Sequence, residues 1–131
     1  MKFKSTVLSN LCLRLSTSSV LAVATHLRGI FHAAGVLDDG MLMQQTAARF
    51  GKVAGPKVDG AWHLHSQTLE QPLDFFVMFS SVASVMGSPG QSNYASANAF
   101  MDGLAQMRAQ QGLPATAINW GQKLLTRFTS L

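Results

Sequence analysis

Three side chains that could polarise a carbonyl group lie close together in the chain. Ser81 ends an apolar run, Tyr94 follows thirteen residues later, and Asn98 comes four residues after Tyr94. A hydroxyl and a phenol placed between a buried strand and a helix can hydrogen-bond a carbonyl oxygen and deliver a proton to it. Taken singly, such a serine is more often a cap or turn residue and such a tyrosine a packed core residue. The surrounding elements therefore have to show whether the three residues act together.

A strand and a helix are predicted to position these side chains. Residues 73–79 are almost continuously apolar, which predicts a central parallel strand covered on both faces. Residues 92–111 show helical spacing, so Tyr94 and Asn98 share one helix face. Gly112 is a natural residue just past the helix end, and Pro114 is a natural stop.

The rest of the chain predicts an α/β fold. Residues 27–35 predict a strand that enters a tight turn, and residues 114–120 predict a third strand. Thr46 predicts the N-cap of a short helix over residues 47–53, and Pro56 predicts the first turn of a separate helix reaching about Thr68. Alternating strands and helices indicate parallel βαβ units, which bind ligands at the carboxyl ends of their strands.

Composition excludes several classes of protein. The chain has 131 residues, 47% of them hydrophobic and 12% charged, as expected for one globular domain. Residues 29–121 carry six acidic and four basic residues, so the positive charge lies in the flanks and a nucleic-acid interface is not predicted. Cys12 is the only cysteine, which rules out an internal disulfide and fits a reducing compartment. No apolar run is long enough to span a membrane. Three histidines show no metal-ligand spacing and are interpreted as structural, namely His32, His63 and His65.

Five ordered motifs carry a resemblance to a known family. They are Phe31-His32-Ala33-Ala34-Gly35-Val36-Leu37-Asp38-Asp39-Gly40, Pro56-Lys57-Val58-Asp59-Gly60-Ala61-Trp62, Phe79-Ser80-Ser81, Asn93-Tyr94-Ala95-Ser96-Ala97-Asn98 and Ile118-Asn119-Trp120-Gly121. In these motifs the chain resembles the ketoreductase domain of modular polyketide synthases, in the short-chain dehydrogenase/reductase superfamily. The likeness covers about residues 27–121, the carboxyl-terminal half of the catalytic subdomain. It implies a partial, truncated Rossmann-like doubly wound parallel sheet.

The resemblance implies NADPH-dependent reduction of a β-ketoacyl group on an acyl carrier protein, in the cytoplasm and in contact with the rest of a polyketide synthase. By motif position, Tyr94 would donate the proton and Ser81 would hydrogen-bond the ketone oxygen. Lys57 would stabilise the charge left on the tyrosine and hold the cofactor ribose. Asn98, which stands where most of the superfamily has its lysine, would support Lys57 and an ordered water. The implied cofactor contacts are Lys57, Tyr94, Ala33, Ala34 and Gly35.

The resemblance also implies a stereochemical subtype. Leu37-Asp38-Asp39 is similar to the signature of B-type ketoreductases, with Asp39 at its diagnostic third place. Pro89 and Asn93 match the same pattern, and Met86 stands where the A-type has tryptophan. The implied product is the (3R)-hydroxyacyl group.

The sequence also departs from the family. No Gly-x-Gly-x-x-Gly or related turn occurs, although a dinucleotide site needs one. We interpret residues 1–26 as an unrelated or non-native segment, residues 27–121 as a partial ketoreductase subdomain and residues 122–131 as a tail. The expectation is therefore an impaired reductase. The alternative is a non-catalytic remnant or an interaction module that pairs with another synthase subunit.

Overall fold

A parallel three-stranded sheet forms the centre of the computed structural model, which describes residues 27–121. The strands are β1 (Gly29–His32), β2 (Phe75–Ser81) and β3 (Thr116–Trp120), in the order β1-β2-β3. Their register sets Ile30 beside Phe76 and Ser81 beside Trp120. The parallel α/β architecture predicted from the sequence is confirmed, whereas the predictions for residues 1–26 and 122–131 lie outside the described residues.

The first crossover is one continuous helical run, where the sequence predicted two separate helices. Helix α1 (Ala47–Ala54) is capped by Thr46, whose side chain accepts a hydrogen bond from the Arg49 backbone N–H at 3.3 Å. A π-helical turn (Gly55–Asp59) joins it directly to α2 (Gly60–Gln67). Pro56 has no N–H to donate back along the helix, and the wider turn continues the chain without that bond.

The second crossover contains the predicted long helix and, before it, a short helix that the sequence did not predict. A short helix α3 (Ala83–Met86) and a loop with two left-handed glycines (Gly87 and Gly90) lead into the long helix α4 (Ser92–Gln110). Gly112 ends α4 with φ of +73°, and the Leu113 N–H donates to the Arg108 carbonyl at 2.9 Å. This closing bond is the one that a glycine in the left-handed conformation makes possible.

The hydrophobic core lies between the sheet and the helices. Alternate side chains of β1 and β2 are buried there, together with residues of α2 and α4: Ile30, Phe76, Met78, Ala61, Met101 and Leu104. The opposite side chains of β2, at residues 75, 77 and 79, are only half-buried. In the described residues, β2 is thus packed on one face, although its apolar sequence predicted cover on both. None of the helices between residues 27 and 121 is both long and apolar enough to cross a membrane.

Candidate active site

Ser81 is the last residue of β2, at the carboxyl edge of the sheet. Its Oγ accepts a hydrogen bond from the Ala83 N–H at 3.2 Å, and its carbonyl oxygen accepts one from Ser84 Oγ at 2.8 Å. The side chain is therefore oriented by the turn that follows the strand. A hydroxyl that accepts from an N–H still has its own proton to donate to a ligand oxygen.

The first turns of α4 carry Asn93, Tyr94 and Asn98. Asn93 is buried, and its amide donates to the Asp38 carbonyl at 2.8 Å. Asn98 is fully buried, and its amide donates to the Tyr94 carbonyl at 2.8 Å. The two asparagines fix the turn of helix that presents the half-buried Tyr94 ring.

Lys57 reaches this helix from the π-helical turn. The residue is 4% exposed, and its Nζ donates to Asn98 Oδ1 at 3.0 Å and to the Phe79 carbonyl at 3.1 Å. The same nitrogen lies 5.2 Å from the centre of the Tyr94 ring, within the range of a cation–π contact. Lys57 thus ties the first crossover to β2 and α4 at one point beside the phenol.

Burial changes the proton affinity of Lys57. Desolvation lowers the pKa of Lys57 from 10.5 to about 8, and the negative charge of Asp102 partly opposes this shift. Asp102 lies eight residues after Tyr94 on α4 and accepts hydrogen bonds from Ser84 Oγ and from Asn119 Nδ2 at 3.0 Å. Sequence reasoning missed this polar cluster, although i, i+4 steps from Tyr94 through Asn98 lead to Asp102.

The turn after β1 lies against Lys57. A Cβ atom on Gly35 would stand 3.2 Å from Lys57 Cε, so the backbone of this turn passes directly beside the lysine stem. Ala33 is exposed and Ala34 is half-exposed next to it. His32 at the end of β1 is buried, and its Nε2 lies 3.1 Å from the Lys57 carbonyl oxygen. Burial, opposed in part by this backbone bond and aided by the Lys57 charge, lowers the pKa of His32.

The loop after this turn is anchored to two helices. The Gly40 N–H donates to the Gly90 carbonyl at 2.8 Å, and Gln91 Nε2 donates to Asp39 Oδ2 at 3.0 Å. On the opposite side, Arg49 and Lys52 of α1 both donate to the Asp38 carboxylate. Arg49 first and Lys52 second hold the pKa of Asp38 below its usual value. Nothing in the sequence predicts these partners, apart from a pair of basic residues three positions apart on α1.

The structure brings the predicted residues to one edge of the sheet. Lys57, Asn98 and Tyr94 are in contact. Ser81 ends β2, the strand whose Phe79 carbonyl binds Lys57. The loop that contains Asp39 is hydrogen-bonded to Gln91 at the start of α4. Pro89 lies exposed in the loop between α3 and α4 and makes none of these bonds. Within residues 27–121, no group of three or more His, Cys, Asp or Glu side chains is placed to hold a metal ion. The chemistry that this arrangement can support is hydrogen bonding and proton delivery to an oxygen that gains negative charge.

This parallel α/β fold, with its hydroxyl, phenol and amine at the carboxyl edge, belongs to the class of Rossmann-like folds. The sequence profile of the KR domain matches residues 8–123, and the chain is therefore a member of the ketoreductase (KR) domain family of polyketide synthases. The match begins earlier than the 27–121 range in which the motifs lie.

Curated relatives are parts of very long proteins. The spectinabilin polyketide synthase system protein NorB of Streptomyces orinoci is 51% identical over 111 residues, covering 82% of this chain and 5% of that protein. The phthioceranic/hydroxyphthioceranic acid synthase of Mycobacterium tuberculosis is 53% identical over 102 residues, covering 76% of this chain and 5% of that protein. The chain thus spans 5% of the length of either relative.

Solved ketoreductases share the fold. The first ketoreductase of the tylosin polyketide synthase is 42% identical with a TM-score of 0.73, over 80% of this chain and 24% of that one. An A-type ketoreductase from a modular polyketide synthase is 38% identical with a TM-score of 0.74, again over 80% of this chain and 24% of that one. The confirmed Rossmann-like fold therefore does not by itself separate the A-type from the B-type.

Proposed function

We propose that this chain reduces the β-keto group of an acyl thioester, carried on an acyl carrier protein, to a β-hydroxyl group. The observation that carries the proposal is the position of Lys57 Nζ, fixed by Asn98 and the Phe79 carbonyl at 5.2 Å from the centre of the Tyr94 ring. A buried cation at that position stabilises the negative charge that a phenol acquires when it gives up its proton.

We assign a role to each residue from the position of its hydrogen-bond donor. Ser81 donates a hydrogen bond to the keto oxygen, and Tyr94 gives its proton to the alkoxide that develops there. Lys57 stabilises the resulting tyrosinate, and Asn98 holds the Lys57 ammonium in place. A single positioned donor to such an oxyanion accelerates turnover by about 10²–10³-fold.

The residues present fit one end of the cofactor. Ala33 is exposed, Ala34 is half-exposed and Gly35 lies against the Lys57 stem. These small residues, together with Lys57 and Tyr94, would hold the ribose end of NADPH. NADPH, when bound, supplies the hydride that reduces the carbonyl carbon. The printed sequence contains no glycine-rich turn to take the pyrophosphate. We therefore propose that these 131 residues on their own bind NADPH weakly and turn over slowly.

We further propose the B-type stereochemical outcome, a (3R)-hydroxyl group. Support comes from the Leu37-Asp38-Asp39 loop, from Pro89 and Asn93, and from Met86 in place of the A-type tryptophan. Asn93 binds the backbone of this loop, and Gln91 binds the Asp39 carboxylate. These bonds place the loop at the turn of α4 that carries Tyr94.

The proposal includes partners and a compartment. The substrate would arrive on a carrier protein, and the remainder of a polyketide synthase would supply it, as the length of the relatives suggests. The single cysteine fits the reducing cytoplasm. Residues 27–121 act in this proposal as part of the catalytic subdomain, and residues 1–26 and 122–131 are assigned no role in the site.

Turnover of a β-ketoacyl N-acetylcysteamine thioester by the purified 131-residue chain tests the proposal. The measurement is NADPH oxidation together with chiral analysis of the hydroxyacyl product. Tyr94→Phe is expected to lower the rate by about 10²–10⁴-fold, the usual contribution of a general acid. Ser66→Ala is the matched control, because this hydroxyl is exposed and bonds only the Trp62 carbonyl within α2.

Product formation that is equal in the parent chain and in Tyr94→Phe would refute the assigned chemistry. NADPH titration by fluorescence separates weak binding from failed chemistry. A chain that binds no NADPH and forms no product would instead support an interaction module that pairs with another synthase subunit. The half-exposed apolar face of the sheet favours that second function, and Phe31 on this face is 54% exposed.

A further inference from the structure

Arg49 of α1 binds at several points to the segment of residues 38–44, a loop that ends in a short 3₁₀ helix (Leu42–Gln44). Its Nε and Nη2 donate to Asp38 Oδ1 at 2.9 Å and 2.6 Å, and Nη2 also donates to the Asp39 carbonyl at 2.8 Å. Nη1 donates to the Gln44 carbonyl at 3.3 Å. One guanidinium group therefore binds a carboxylate and two backbone carbonyls of the same loop. Its planar array of donors makes this possible, and a lysine could not reproduce it.

Gly40 packs against the Arg49 side chain. A Cβ atom on Gly40 would collide with Arg49 Nη1. Glycine at this position lets the backbone lie directly on the guanidinium group. Asp38 is largely shielded, with 16% of its side chain exposed, so its bonds to Arg49 are only partly screened by solvent.

The other side of the loop rests on the segment that leads into α4. Asp38 accepts from Asn93, Asp39 accepts from Gln91, and Gly40 donates to the Gly90 carbonyl. These three partners directly precede Tyr94 in the chain. The loop is thus held between α1 on one side and the start of the Tyr94 helix on the other.

We propose that Arg49 is a positioning residue that holds residues 38–40 against the start of α4. It touches none of the reacting groups and acts through the loop. The proposal deepens the proposed function and rests on it in one respect. If the chain reduces a β-ketoacyl thioester, Arg49 fixes the position of residues 38–40, and these residues determine which face of the ketone receives the hydride.

Three variants separate Arg49 from its neighbours. Arg49→Met keeps the aliphatic stem and removes every donor, whereas Arg49→Lys keeps the charge but not the planar set of donors. Lys52→Met is the matched control, because within residues 27–121 Lys52 binds only the Asp38 carboxylate, at 3.1 Å, and is largely exposed. The first readout is amide hydrogen exchange by NMR at Gly40, with Met78 in the buried strand as the internal reference.

Arg49→Met is expected to speed exchange at Gly40 by at least about tenfold, the factor for a single charge-assisted hydrogen bond, because it removes every Arg49 donor, and to leave Met78 unchanged. Arg49→Lys restores part of the protection, and Lys52→Met changes it less than twofold. The second readout is the product. In Arg49→Met the share of the minor enantiomer rises and KM for the thioester increases by about tenfold, with a smaller change in kcat.

Unchanged exchange at Gly40 in Arg49→Met overturns the proposal, as does an equal effect of Lys52→Met. If Met78 exchange also rises, the variant has lost global stability, and Arg49→Lys then provides the test. If the parent chain shows no turnover, the proposed function fails, and the Gly40 exchange rates still decide the role of Arg49. Turnover with an unchanged enantiomer ratio and KM would refute the claim that the loop sets the ketone face.

Discussion

Lys57 and Asn98 are 41 residues apart in sequence, and the Lys57 ammonium donates a hydrogen bond to Asn98 Oδ1 at 3.0 Å. Both residues are buried, and the only other bond of the ammonium within the described residues is to the Phe79 carbonyl. A buried cation with two acceptors depends strongly on each of them. This contact is therefore structural as well as part of the proposed site.

Asn98→Ala is expected to lower the free energy of unfolding by about 1–3 kcal/mol. The substitution removes one acceptor from Lys57 and the donor to the Tyr94 carbonyl, and both groups are left in a buried place. Urea unfolding monitored by circular dichroism measures the loss. Gln110→Ala, at the exposed end of the same helix, is the control and should change stability by less than about 0.5 kcal/mol. A change of that small size in Asn98→Ala would contradict the structural role.

Lys57 is expected to titrate near pH 8, because burial lowers its pKa to about 8. In the unfolded chain the group has its ordinary pKa of 10.5, so between these values the unfolded state binds more protons. The free energy of unfolding should therefore gain a contribution from Lys57 as pH rises from about 8 towards about 10. Turnover should fall over the start of the same range, because the uncharged amine no longer stabilises the tyrosinate.

Carbon-13 labelling of the lysine Cε positions follows this titration directly by NMR. One signal is expected to move near pH 8 and to be missing from the Lys57→Met variant. That variant also assigns the signal, since the other lysines remain. If no lysine signal titrates below about pH 9, the prediction that burial lowers the pKa of Lys57 is wrong.

His65 and Arg108 form a second buried pair, between α2 and α4. Arg108 is fully buried, its Nη1 lies 2.9 Å from His65 Nδ1, and its guanidinium carbon lies 4.1 Å from the centre of the Phe76 ring. The Trp62 ring packs on the His65 ring, at 5.1 Å between centroids. Burial first, and the Arg108 charge second, lower the pKa of His65.

This pair makes stability dependent on pH. As pH falls below about 6.5, the unfolded chain takes up a proton on His65 before the folded chain does, so the free energy of unfolding decreases. His32, whose pKa is also lowered, adds to the loss in the same window. Comparison of urea unfolding at about pH 7.5 and about pH 5.5 should show a smaller decrease in His65→Gln than in the parent chain. His63→Gln is the control, because His63 is exposed. A pH dependence unchanged in His65→Gln would rule the pair out as its source.

Two glycines should respond oppositely to alanine. A Cβ atom on Gly29 would collide with the Phe75 ring on the neighbouring strand, whereas a Cβ atom on Gly51 in α1 meets nothing within 4 Å. Gly51→Ala is expected to raise the free energy of unfolding by about 0.5–1 kcal/mol, because alanine restricts the unfolded chain and favours the helix. Gly29→Ala is expected to lower it by about 1–3 kcal/mol, because the ring must move. Thermal unfolding of the two variants side by side gives the comparison, and a shift of both in the same direction would count against the strand pairing.

The elements that depend on local sequence patterns were predicted correctly. Apolar runs, the helical spacing after Ser92 and the left-handed glycine at residue 112 correctly predicted three parallel strands and α4. The ends of the strands were predicted less accurately. β2 extends to Ser81, because it continues to pair with β3 as far as Trp120. Such pairing depends on a neighbour that a local pattern does not reveal.

The sequence by itself determined the parallel α/β class, the family motifs and the residues that could polarise a carbonyl, because these depend on residue type and short-range spacing. Only the tertiary structure decided three contacts. Lys57 of the π-helical turn binds Asn98, Arg49 binds Asp38, and Arg108 contacts His65 in the core. Each of these pairs joins different elements across 11 to 43 residues. Their contact depends on how the helices lie on the sheet, which is a property of the packed chain and not of any one segment.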